Sequence, residues 1–148
     1  MTIPSHLFIL TGHSRGLGLA MAQQLLQPGH TVVGMARHTS NALQPPPGAH
    51  LEQWQLDLAD GTQAAERLHH WLLQQGPGRY ASASLINNAG VNRGRWFTAT
   101  DALEAARTEM EVNYFGTLNM CHAFVPLFVA RKAGMIVNVS SIIGMVNM

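Results

Sequence analysis

Thr11-Gly12-His13-Ser14-Arg15-Gly16-Leu17-Gly18 stands between a short apolar run, Leu7-Phe8-Ile9-Leu10, and a stretch from Gly16 to Gln27 whose apolar residues Leu17, Ala20, Met21 and Leu25 recur at helical spacing. The order strand, glycine-rich turn, helix decides the fold. A helix N-terminus carries unpaired N–H groups and a partial positive charge, so it is suited to hold a phosphate. Glycine is needed where the chain turns tightly and where no Cβ can stand between backbone and phosphate.

Other readings share these residues. The spacing Gly12, Gly16, Gly18 departs from G-x-G-x-x-G, and a glycine trio also suits a structural turn without a ligand. Gly12-His13-Ser14-Arg15-Gly16 spells G-x-S-x-G as well, the nucleophile elbow of a serine hydrolase with Ser14 as nucleophile. That elbow follows several strands of a larger sheet, whereas a single strand precedes it here. A P-loop is excluded, because Leu17 stands where its second glycine belongs and the sequence has no Gly-Lys pair.

Outward from the turn, the pattern alternates. Pro28-Gly29 ends the first helix, and Thr31 to Met35 reads as a second strand. His38 to His50, with Pro45-Pro46-Pro47-Gly48, is a loop, and Leu51 to Leu56 is a third strand with Trp54 and Leu56 on one face. Gly61 to Gln75 is a helix with Ala65, Leu68 and Leu72 on one side, stopped by Gly76-Pro77-Gly78. Ser84 to Asn87 is a fourth strand. Asp101 to about Arg131 reads as one long helix with Pro126 near its end, and Met135 to Val139 as a fifth strand. Strands alternating with helices predict right-handed crossovers and a Rossmann-type doubly wound parallel sheet, order 3-2-1-4-5, in one domain over residues 1–148.

Of the 148 residues, 47% are hydrophobic and 11% charged, well under the roughly one quarter usual in soluble domains. A parallel sheet covered on both faces consumes apolar residues in this way. The net charge is +1 and the basic residues are scattered, which argues against nucleic acid. The N-terminus lacks a signal-peptide pattern, and the apolar stretch near Leu118 to Ala130 is interrupted by Asn119, His122 and Pro126 and is too short for a membrane span. With a single cysteine, Cys121, and no zinc-type spacing, the expectation is a cytoplasmic protein without an internal disulfide or a metal.

The residues after the second strand address the nucleotide. NAD-binding domains place an acidic residue about 20 positions beyond the glycine turn, on the ribose 2′-OH. Here Ala36-Arg37 stands there, and the first acidic residue of the chain is Glu52. A guanidinium binds a 2′-phosphate that a carboxylate would repel, so Arg37, with Arg15 in the turn, predicts NADP(H). Asp57, in Leu56-Asp57-Leu58, suits either an adenine contact or a turn role.

Together these motifs resemble the short-chain dehydrogenase/reductase family over nearly the full chain. Thr11 to Gly18 matches its T-G-x-x-x-G-x-G loop, Asp57 its adenine-side Asp, and Asn87-Asn88-Ala89-Gly90 its N-N-A-G. Asn113 matches the helix asparagine of the catalytic group. Ile136 to Ser141, followed by Ile142-Ile143-Gly144, matches the strand leading to the catalytic serine, Ser141. The resemblance implies hydride transfer between nicotinamide and a small carbonyl or alcohol substrate. It implies cofactor contacts from Gly12, Ser14, Arg15, Gly16, Leu17, Gly18, Arg37, Asp57, Leu58, Asn88, Ala89 and Gly90, catalytic roles for Ser141 and Asn113, and a dimer or tetramer built on the long helix.

One departure bears on activity. The family's tyrosine and lysine lie in Y-x-x-x-K, a short way beyond the serine. Tyr80 and Tyr114 are followed four residues on by Ser84 and Leu118, and Lys132, the sole lysine, is preceded by Phe128. The expectation is a chain that stops before this motif: the binding part of a reductase, or a non-catalytic dinucleotide-binding fragment, with the Ser14 hydrolase as third reading.

Overall fold

The structure is a computed structural model, and it describes residues 5–141. The stretches Met1 to Pro4 and Ile142-Ile143-Gly144 to Met148 lie outside the described residues. Five strands, β1 (His6–Thr11), β2 (His30–Ala36), β3 (His50–Gln55), β4 (Ser82–Asn87) and β5 (Met135–Asn138), form one sheet in the order β3-β2-β1-β4-β5. Every pairing is parallel. The helices are α1 (Gly16–Leu25), α2 (Gly61–Gln75), α3 (Ala102–Met110) and α4 (Thr117–Arg131), with a π-helical turn at Glu111–Gly116 between the last two. This is the doubly wound arrangement expected from the sequence.

Strand residues alternate between the faces of the sheet. Leu7, Ile9, Val33, Met35, Trp54 and Leu85 point to one side and pack on Leu68 and Leu72 of α2 and on Met120, Ala123 and Phe124 of α4. Leu10, Val32 and Ile86 point to the other side and pack on Ala22 of α1 and Leu26. Burial on both faces accounts for the high apolar content.

The strand ends shift by one or two residues from the sequence expectation, β3 running from His50 to Gln55, β4 starting at Ser82 and β5 ending at Asn138, and three details of the helices differ. The α1 helix ends at Leu25 instead of Gln27, because Gln27 precedes Pro28, whose ring disfavours helical backbone at the residue before it. In α2 the buried alanine is Ala64, in line with Leu68 and Leu72, and Ala65 sits at the edge of that stripe. The long helix keeps helical backbone from Ala102 to Arg131, but it passes through a π turn around Asn113. Such turns concentrate at functional positions.

The chain runs outward from β1 to β3, then returns to lay β4 on the other side of β1. A crevice therefore opens at the C-terminal ends of β1 and β4, where crossovers leave in opposite directions.

Candidate functional site

An open cleft of about 770 Å³ occupies that crevice, within the size range of small-molecule and cofactor sites. It is lined by Gly12, Ser14, Arg15, Gly16, Leu17 and Gly18 from the glycine turn, Arg37 after β2, Asp57 and Leu58 after β3, and Asn88, Ala89 and Gly90 after β4. These are the twelve residues expected from the sequence to contact a cofactor, brought together from four separate loops.

The turn is shaped by backbone. Gly12 has φ +74°, and a Cβ there would lie 2.9 Å from Ala89 Cα. A Cβ on Gly18 would lie 1.9 Å from Gly12 O, so the first turn of α1 presses directly on the loop. No acidic side chain stands in that first turn, and Arg15 makes no side-chain cap, which leaves the helix N-terminus open to an anion.

The fourth-strand loop is clamped to this turn. The buried hydroxyl of Thr11 accepts from the backbone N–H groups of Asn88 and Ala89, both at 3.0 Å. Asn88 Nδ2 donates in return to Thr11 O at 3.1 Å and Gly12 O at 3.3 Å. Asn87 lies one residue back, buried, and donates to Asn138 Oδ1 at 2.9 Å, tying β4 to β5. Thr11 is a site residue for which the sequence reading assigned no role of its own; its signal is a hydroxyl at the end of a buried strand, where a second strand's loop must be fastened.

Arg15, Arg37 and Arg93 are exposed and line the cleft, in which Asp57 is the one lining carboxylate among the described residues. Asp57 also takes the turn role that the sequence left open, its Oδ1 accepting from Ala59 N at 3.0 Å. Leu58 is buried, against the closely approaching Gly116. Thr108 and Val112 extend the wall from α3 and the π turn.

Asn113 does not line the cleft. Its Oδ1 accepts from Val91 N and its Nδ2 donates to Val91 O, both at 2.8 Å. The π turn thus presents Asn113 to the chain just past Gly90, and both polar atoms are engaged there. Ser141 is exposed, three residues beyond β5 at the same edge of the sheet. Farther out on the loop, Arg95 bonds Asp101 at 2.7 Å, and its guanidinium holds the Asp101 carboxyl below the ordinary value. Among the described residues there is no His/Cys/Asp/Glu cluster of metal-binding type, and no helix is long and apolar enough to cross a membrane.

Known proteins share this architecture. The chain is 32% identical over 143 residues to a 3-ketodihydrosphingosine reductase of Bacteroides thetaiotaomicron, an alignment covering 93% of this chain and 48% of that protein. A short-chain dehydrogenase/reductase of Burkholderia vietnamiensis superposes with a TM-score of 0.84 at 29% identity, covering 98% of this chain and 69% of the other. A short chain dehydrogenase of Burkholderia cenocepacia J2315, solved in complex with NADP, superposes with a TM-score of 0.74 at 34% identity, covering 99% of this chain and 58% of the other. The chain spans about half the length of the curated relatives it matches. The sequence profile described as "short chain dehydrogenase" matches residues 6–148. With its strand order, its glycine turn and its Asn-Asn-Ala-Gly loop, the chain belongs to the short chain dehydrogenase family.

Proposed function

We propose that this chain is the NADP(H)-binding part of an oxidoreductase that moves a hydride between nicotinamide and a carbonyl or alcohol carbon. The observation that carries the proposal is the cleft itself: a glycine-shaped turn at an uncapped helix N-terminus, flanked by Arg15 and Arg37. The fit can be tested from the residues present. Gly12 and Gly18 let the turn close onto α1 and the fourth-strand loop, and an added Cβ at Gly16 would meet nothing within 4 Å, so it would stand in the open space where the backbone must approach a pyrophosphate. Ser14 to Gly18 and the α1 N-terminus hold the pyrophosphate. Asp57 and Leu58 border the adenine side, and Asn88, Ala89 and Gly90 border the nicotinamide side.

Arg37 and Arg15 supply guanidinium donors for a 2′-phosphate, and no carboxylate stands after β2 to accept from a free 2′-OH. The NADP complex of the Burkholderia cenocepacia relative supports the same choice. When bound, the nicotinamide supplies the hydride chemistry. Ser141 is assigned to the substrate oxygen, and Asn113 acts as a positioning residue for the turn after Gly90. A Tyr-x-x-x-Lys pair is absent from these 148 residues, so binding and orientation are the roles we assign to this chain. We also assign the exposed apolar residues Tyr114, Phe115, Leu118 and Val125 of the π turn and α4 to contact between copies; the mass in solution by light scattering, monomeric or not, decides this.

The hydrolase reading is set aside. The imidazole of His13, next to Ser14, is buried and bonded to Gln53 at 2.9 Å, turned into the fold. The test of the cofactor proposal is Arg37→Ala, read by separate NADPH and NADH titrations. It should weaken NADPH by about 10–100-fold, the range of one charge-assisted contact, and leave NADH within about twofold. An unchanged NADPH affinity overturns the assignment of Arg37.

A further inference from the structure

His13 belongs to the glycine turn by sequence, but its side chain is fully buried. Its ring crosses β2 over Gly34, where an added Cβ would lie 2.5 Å from His13 Cγ. Gly34 is paired with Leu10 of β1 on one side and with Gln53 of β3 on the other. The missing side chain at position 34 is thus the gap through which a residue of the β1 turn reaches the third strand. There His13 Nε2 meets Gln53 Oε1 at 2.9 Å.

Gln53 in turn grips a loop. Its Oε1 accepts from Ser40 N at 2.7 Å and its Nε2 donates to Ser40 O at 3.1 Å. A backbone N–H can only donate and a backbone C=O can only accept, so Ser40 fixes the amide orientation, and His13 Nε2 is the donor. Ser40 lies in the long connection between β2 and β3, three residues after Arg37. Arg15 lies two residues after His13. The chain His13, Gln53, Ser40 therefore joins the loop of Arg15 to the loop of Arg37, two of the three cleft loops that carry a guanidinium group.

We propose that His13 and Gln53 are positioning residues for nucleotide choice: they hold the Arg37 loop in register with the Arg15 loop, so that both guanidinium groups meet one 2′-phosphate. The proposal rests on the NADP(H) reading given above. Dinucleotide parts common to both cofactors are bound by other residues, so loosening Ser40 should cost NADPH and spare NADH.

The test substitutes Gln53→Met, which keeps length but cannot bond His13 or Ser40, and separately His13→Phe. NADPH and NADH dissociation constants are measured for each, alongside the unfolding midpoint. Gln53 is half-buried on the edge strand, so its variant keeps the test informative if the buried His13 change disturbs folding. The expected result is an NADPH constant raised about tenfold with NADH changed less than about twofold. In an Arg37→Ala background, Gln53→Met should no longer affect NADPH. Equal weakening of both nucleotides, or full additivity with Arg37→Ala, overturns the proposal. If Arg37→Ala itself leaves the NADPH-to-NADH ratio at the wild-type value, the 2′-phosphate reading fails. If Arg37→Ala lowers the ratio and Gln53→Met does not, the positioning role alone fails.

Discussion

Replacing Gly18 by alanine tests how far the site depends on close backbone approach. The new Cβ would stand 1.9 Å from Gly12 O and 2.6 Å from Asn88 Nδ2, against 3.4 Å for ordinary contact. The turn must retreat from α1 by about 1.5 Å, the difference between 3.4 and 1.9 Å. The retreat strains two hydrogen bonds, Gly12 N to Met35 O at 2.7 Å and Asn88 Nδ2 to Gly12 O at 3.3 Å, each worth about 1 kcal/mol. Residual overpacking raises the total to about 2–4 kcal/mol. Thermal unfolding followed by circular dichroism should show a midpoint lower by on the order of 5–10 °C. Dinucleotide affinity should fall by about tenfold or more, for NADPH and NADH alike, because the pyrophosphate cradle serves both. A Gly18→Ala protein with unchanged midpoint and unchanged affinity would show that the loop yields at no cost and that the close approach of α1 does not shape the site.

Other consequences follow from single contacts. Gly34→Ala drives a methyl into the buried His13 ring and should destabilise by about 1–3 kcal/mol; adding His13→Ala should recover part of that in denaturant unfolding, and a purely additive double variant would contradict the packing described. Phe124→Ala removes a fully buried ring from the face between the sheet and α4 and should cost about 3–5 kcal/mol by the same assay; a loss below about 1 kcal/mol would show that α4 is not anchored there. Asn113→Ala removes both bonds to Val91, so the Val91 amide should exchange at least about tenfold faster by hydrogen-exchange NMR, with unchanged exchange counting against the role of the π turn.

The sequence exposed the fold because two periodicities were clear. Leu7 to Leu10 and Thr31 to Met35 are short enough to be strands and are bounded by glycine, while Leu68 and Leu72 recur at helical spacing. The cleft lining was legible because each contributing loop follows a strand closely, as with Gly12 after Leu10 and Asn88 after Ile86. What stayed hidden depends on contacts between distant residues. The π turn has no local signal; it accompanies the pairing of Asn113 with Val91, 22 residues away. His13 carries no signal of burial in the glycine turn, and only the strand register shows that Gly34 admits its ring to Gln53. Asp57 left two roles open, and the structure shows the turn bond to Ala59 at a position that also borders the cleft.

The most direct test of the central claim is a pair of titrations of the wild-type chain, one with NADPH and one with NADH, followed by nucleotide fluorescence. Saturable binding of both is expected, with NADPH tighter by about tenfold or more, the contribution of the Arg37 and Arg15 contacts to one phosphate. Equal affinity for the two nucleotides, or tighter NADH, would contradict the claim.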